Sequence, residues 1–230
     1  MRAFGLIHSP LVGPDTWEPV ASELRRRGAV VAVPEVVDSP DSGRPYWQQH
    51  AAVAAAGLAG LPSSPILAAH SGAGALLPAI RQRLKEAAAA YVFVDAGLPA
   101  PGSRLDNFGN PEMAAEFRRH LSDGGRFPEW TDGELREEVP DDVWRARLLA
   151  GLRPRALDYF EEPLPDLAGW PDAPCGYLLF SPGYAAEAEK AQRAGWPVRR
   201  LEGGHFHMLV EPVAVARALL ELAEVLVSDL

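Results

Sequence analysis

The sequence contains a single cysteine, Cys175, in 230 residues. One cysteine can make neither an internal disulfide nor a multi-cysteine metal cluster, so neither holds this chain together. Long apolar runs are missing too. None reaches the roughly 18 residues that a membrane-crossing helix needs, and the apolar stretch within the opening MRAFGLIHSPLVG is too short for a secretory signal. The expectation is a cytoplasmic chain without membrane contact. Positive charge is scarce: 22 Lys plus Arg face 31 Asp plus Glu, a net charge of −9. Nucleic-acid surfaces need clustered cations to displace counterions from phosphates, and none is expected as a partner here. The one dense basic run, Arg25, Arg26 and Arg27, closes a predicted helix, where cations suit the helix dipole.

What is present is an ordinary globular balance, 47% hydrophobic and 23% charged. At roughly 150 residues per domain the length fits one α/β domain, and a chain of this size buries about 70–75% of its unfolded surface without any staple. Apolar, β-branched runs at 3–7, 30–34, 66–70, 91–95, 176–180 and 197–201 are mostly continuous, as in strands covered on both faces. Helical patterns lie between them at 15–27, 46–60, 73–88, 185–194 and 211–228. This alternation predicts a mostly parallel sheet flanked by helices.

The segment 98–172 breaks the rhythm. It is rich in Pro, Asp, Glu and Arg, has no convincing strand, and suggests helices at 111–122, 132–138 and 141–150. Ordinary connections run about 4–6 residues. The aromatics Phe108, Phe117, Phe127, Trp130, Trp144, Tyr159 and Phe160 argue against a disordered linker. It reads as a helical cap inserted before the penultimate strand of a single domain, whose core is 1–97 and 173–230.

The chemistry concentrates in ILAAHSGAGALLPAI, 66–80. A buried strand ends at His70, Ser71 follows, and a helix opens through Gly72. Ala69 and Ala73 flank the serine in a small-x-Ser-x-small pattern, the steric requirement of a sharp strand-to-helix turn that exposes a nucleophile. The Gly72 N–H would face a developing oxyanion. The plain alternative is a serine that caps a helix. A serine nucleophile needs a base. His205, in the glycine-bearing loop LEGGHFHMLVEP after the last strand, is favoured over His207, which packing at a helix start would also explain. His70 reads as a satisfied histidine beside its strand, and His50 and His120 as solvent-facing.

Together these segments resemble the α/β-hydrolase superfamily, and compact bacterial hydrolases of the esterase and hydroxynitrile-lyase kind in particular. Residues 66–80 look like its nucleophile elbow, 201–212 like its terminal histidine loop, and 6–35 like its first strand, oxyanion loop, first helix and second strand. The resemblance implies the order Ser71, acid, His205. It also implies an oxyanion hole made by Gly72 with Ser9 or Leu11, since Pro10 has no N–H to give. The usual slot for the acid, Phe180-Ser181-Pro182-Gly183-Tyr184, holds no carboxylate. Asp95, at the end of the preceding strand, is the first choice and Glu187 the second; a loop cap or an ion pair with Arg104 would also explain Asp95. His8 of the oxyanion loop is expected to bind substrate, along with two of Trp130, Trp144, Tyr159 and Phe160, though these aromatics would equally build the cap's own core.

The expected activity is hydrolysis of a small, largely apolar ester, thioester or lactone through an acyl-enzyme on Ser71, with no cofactor or metal. The alternatives are lyase, isomerase or cyclase chemistry with Ser71 and His205 as acid and base, or a non-catalytic binding protein. The oligomeric state is not set by the sequence.

Overall fold

The computed structural model describes residues 2–39, 43, 45–62, 64–165 and 167–228. Six strands, β1 (Ala3–Ile7), β2 (Val30–Ala32), β3 (Ile66–His70), β4 (Ala90–Val94), β5 (Cys175–Leu179) and β6 (Val198–Arg200), form one sheet in the order β2-β1-β3-β4-β5-β6. Every pairing is parallel. The four central strands are buried along their whole length, which is why their sequences run apolar without alternation. The edge strands are shorter than the predicted runs 30–34 and 197–201. β6 ends in exposed Arg199 and Arg200, charges that discourage edge-to-edge pairing with other chains.

Between and after the strands lie α1 (Glu18–Arg26), α2 (Tyr46–Leu58), α3 (Leu77–Arg81), α4 (Pro111–Ser122), α5 (Asp132–Leu135), α6 (Asp142–Ala150), α7 (Leu157–Glu161), α8 (Ala185–Arg193), α9 (His207–Val210) and α10 (Pro212–Val227). Because side chains alternate across a strand, each central strand feeds two cores. Phe4, Leu6, Val92 and Leu178 meet Leu24 of α1 and Leu219 and Leu222 of α10. Ile7, Leu67, Phe93 and Tyr177 meet Leu58 of α2, Ile80 of α3 and Ala188 of α8. None of these helices is long and apolar enough to cross a membrane.

The predicted helix 73–88 is the largest departure. The chain instead makes a 3-10 helix, Ser71–Leu76, then the five-residue α3. Gly72 and Gly74 disfavour α-helix at the start. At the end, the Arg81 and Arg83 guanidiniums bond the carbonyls of Leu84 and Ala79.

The segment between β4 and β5 carries α4 to α7, the last of which has no counterpart in the predicted helices. Leu105, Leu121, Tyr159 and Phe160 form its small core, joined by Phe117 and Phe127 and by Leu11 and Tyr46 from the main body. Buried charge ties it down. Glu162 accepts the backbone N–H groups of Tyr46 and Trp47 at the start of α2 and pairs with Arg104. Arg155 pairs with Asp38, which also takes His50 Nε2 at 3.0 Å. His50 is therefore fully buried rather than solvent-facing.

Candidate active site

The strand-to-helix turn after β3 puts Ser71 at φ 56°, in the left-handed region. A non-glycine residue held there costs roughly 1–2 kcal/mol, so the surrounding structure must impose it. It does so by close packing. Ala69 and Ala73 are fully buried, and a Cβ on Gly74 would lie 2.2 Å from the Gly97 carbonyl oxygen. The turn thus rests directly on the backbone that follows β4. Gly72 is the second residue of the turn, where N–H groups have no intrahelical partner.

That same backbone holds the second strained residue, Asp95, at φ 43°. The Tyr177 hydroxyl bonds both the N–H and the carbonyl of Ala96 at 3.0 and 2.8 Å, which fixes the turn. The fully buried Asp95 carboxylate collects four donors. Oδ1 accepts the N–H groups of Phe180 and Ser181, each at 2.9 Å; Oδ2 accepts the Ser181 hydroxyl at 2.6 Å and His205 Nδ1 at 2.8 Å. Burial pushes its pKa up, but His205 and Ser181 outweigh burial and hold it below the usual carboxylate range.

The His205 imidazole packs against two rings: His70, with centroids 4.4 Å apart, and Tyr184, 5.0 Å away and nearly parallel at 9°. His70 also donates Nε2–H to the His205 carbonyl at 2.9 Å, which fixes the loop as well as the ring. Complete burial keeps His70 neutral, with its pKa far below the ordinary value. Ser71 Oγ makes its hydrogen bond to the Tyr184 hydroxyl, at 3.4 Å, and not to His205.

On the other flank, the loop after β1 brings Ser9 to Gly72: a Cβ on Gly72 would lie 3.4 Å from Ser9 Oγ. The Leu11 N–H is occupied by the same Ser9 Oγ, at 3.3 Å. His8, expected to bind substrate, lies inside the fold. It is fully buried, with Nδ1–H on the Ser9 carbonyl at 2.8 Å and Nε2 accepting the Val36 N–H at 2.9 Å. Burial lowers its pKa to about 4 despite the opposing hydrogen bond to Ser9. It shapes the loop from beneath.

The competing residues lie elsewhere. Glu187 accepts the Leu98 N–H at 3.4 Å and pairs with Lys190. His207 packs on Phe180 at the start of α9, and Arg104 sits with Glu162 and over the Tyr159 ring, not with Asp95. Of the cap aromatics, Trp130 alone reaches the His205 loop, edge-on to Phe206 at 5.5 Å. Trp144 packs on the main core with Arg147 over its ring, and Tyr159 and Phe160 are buried inside the segment's own core. Tyr184, Ser181 and the locking role of His70 were not picked out by sequence patterning. Among the described residues, no group of three His, Cys, Asp or Glu side chains is placed to hold a metal ion.

A family model described as the alpha/beta hydrolase family matches residues 5–218. The chain belongs to that family. No curated protein matches it in sequence. Among solved structures it is similar to an extracellular alpha/beta-hydrolase from a Paenibacillus species, at TM-score 0.77 and 20% identity over 96% of this chain and 99% of the other. It is also similar to a pyrethroid hydrolase, at 0.69 and 19% over 97% of each chain. A methylesterase from Arabidopsis matches at 0.68 and 17% over 98% of this chain and 100% of the other. At these identities the likeness is one of fold.

Proposed function

We propose that the protein is a serine hydrolase that cleaves a small, largely apolar carboxylic ester through an acyl-enzyme on Ser71. One observation carries this reading: a serine in a strained elbow follows His70, whose ring lies 4.4 Å from an imidazole bonded through Nδ1, at 2.8 Å, to a buried carboxylate. Ser71 turns from Tyr184 to His205 Nε2, gives up its proton there and attacks the carbonyl carbon. The Gly72 N–H and the Ser9 hydroxyl, which can donate while accepting from Leu11, receive the carbonyl oxygen. His205 returns the proton to the leaving group, Asp95 stabilises the imidazolium, and water then repeats the sequence on the acyl-serine. The hydrolase and methylesterase activities named for the structural neighbours support the reading. So does the aromatic, half-buried Trp130 beside the His205 loop, which suits an apolar substrate.

One observation favours the acid–base alternative: Pro10 has no N–H and the Leu11 N–H is occupied by Ser9 Oγ, which thins the backbone donors on the oxyanion flank. Pre-steady-state hydrolysis of p-nitrophenyl butyrate separates the two. A burst approaching one nitrophenol per Ser71, absent in Ser71→Ala, is expected. Turnover in Ser71→Ala at the wild-type rate would refute the acyl-enzyme.

A further inference from the structure

The Tyr184 hydroxyl has no part in the steps above, yet it lies 3.4 Å from the atom that attacks. Its ring leaves the turn after β5 and stacks on the His205 imidazole. The hydroxyl therefore stands on the His205 side of Ser71, across from the loop after β1 that brings Ser9 to Gly72. When Ser71 turns to His205, the phenol loses its one hydrogen-bond partner among the described residues. The half-buried hydroxyl is shut off from water once substrate fills the site, where a hydroxyl left unpaired is costly, so an acceptor on the substrate takes the place of the serine. The carbonyl oxygen is committed to the opposite flank. The other oxygen on the reacting carbon belongs to the leaving group, and it sits closer to Oγ than a hydrogen-bond length because both are bound to that carbon.

We propose that Tyr184 is a catalytic residue that donates a hydrogen bond to the leaving-group oxygen, and that the substrates are accordingly oxygen esters of alkyl alcohols rather than thioesters. The inference rests on the acyl-enzyme reading. As the tetrahedral intermediate collapses, the bond from carbon to the leaving oxygen breaks and its electron pair passes to that oxygen. The oxygen takes the proton from His205 Nε2. The Tyr184 O–H stays intact and donates to the same oxygen as its charge grows. Burial raises the phenol pKa, which keeps it a donor at neutral pH. A thioester gains little from such a group, since sulfur is a weak acceptor.

The test compares kcat/KM of wild type and Tyr184→Phe on ethyl butyrate and p-nitrophenyl butyrate. Ethanol is a poor leaving group and needs the donor; nitrophenol does not. The Phe variant should lose about tenfold more on the ethyl ester than on the nitrophenyl ester, the worth of one hydrogen bond made in the transition state. Equal losses on both would overturn the assignment. Wild type alone gives a second arm: ethyl butyrate should be the better substrate than S-ethyl thiobutyrate, and the reverse order would overturn the substrate class. Fluorophosphonate labelling of wild-type Ser71 separates the two levels. Protein that takes no label fails the acyl-enzyme reading and this assignment with it, whereas labelled protein with equal losses fails the Tyr184 assignment alone.

Discussion

On the β4 to β6 side of Ser71 four donors converge on Asp95, His205 is packed against two rings, and its carbonyl is bonded by His70. On the β1 side Pro10 has no N–H, the Leu11 N–H is occupied, and His8 is turned down into the core. The Asp95–His205 flank is thus densely bonded, while the flank proposed to receive the oxyanion holds Gly72 and the sparsely bonded Ser9 hydroxyl. The degree of order differs between the two sides of Ser71, and with it the expected cost of damage. A group held by many partners has its protonation state fixed in advance. A hydroxyl with one weak partner can still reorient toward a growing charge, but it contributes less.

The largest effect should come from the ordered side. Asp95→Asn keeps the shape but presents the wrong hydrogen-bonding group to His205 Nδ1, and kcat on p-nitrophenyl butyrate should fall about 10⁴-fold. A loss below tenfold would show that the buried carboxylate is not the orienting acid. Next comes the sparse side: Ser9→Ala should cost about 10²-fold in kcat with little change in KM, the signature of a donor used in the transition state. A loss as deep as that of Asp95→Asn would erase the asymmetry.

A third comparison concerns stability. His8 is held neutral with a folded pKa of about 4, against 6.5 when unfolded. Below pH 6.5 the unfolded chain takes a proton that the native chain refuses, so stability falls as pH drops from 6.5 through 4. Between pH 7 and pH 5 His8 alone should remove about 2 kcal/mol, read from urea midpoints, and a His8→Asn variant should show a correspondingly shallower dependence. The smallest effect belongs to Glu187→Gln. Glu187 bonds the Leu98 N–H and Lys190 rather than His205, so kcat should stay within about twofold, as for an exposed ion pair.

As candidates, Ser71 and His205 stand out in the sequence because an apolar run that ends in a serine between small residues, and a glycine-bearing loop after the last strand, are local patterns with steric causes. Asp95 was legible for a related reason: a carboxylate ending a buried strand needs a partner. The remainder depends on contacts between distant segments. Tyr184 belongs to a turn without any periodic signature, and acquires its place only because β5 and β6 are neighbours that set its ring on His205. The burial of His8 depends on the Val36 N–H, and that of His50 on Asp38 and the inserted segment. No spacing rule connects those positions. The helix expected at 73–88 failed because its apolar spacing outweighed, on paper, the two glycines and the arginine caps that end it early.

The most direct test of the central claim is to treat the protein with a fluorophosphonate and locate the adduct by peptide mass spectrometry. One adduct per chain, on Ser71, lost in Ser71→Ala and strongly slowed in His205→Ala, is the predicted result. A well-folded protein that stays unlabelled, or labels elsewhere at the same rate in His205→Ala, would contradict it.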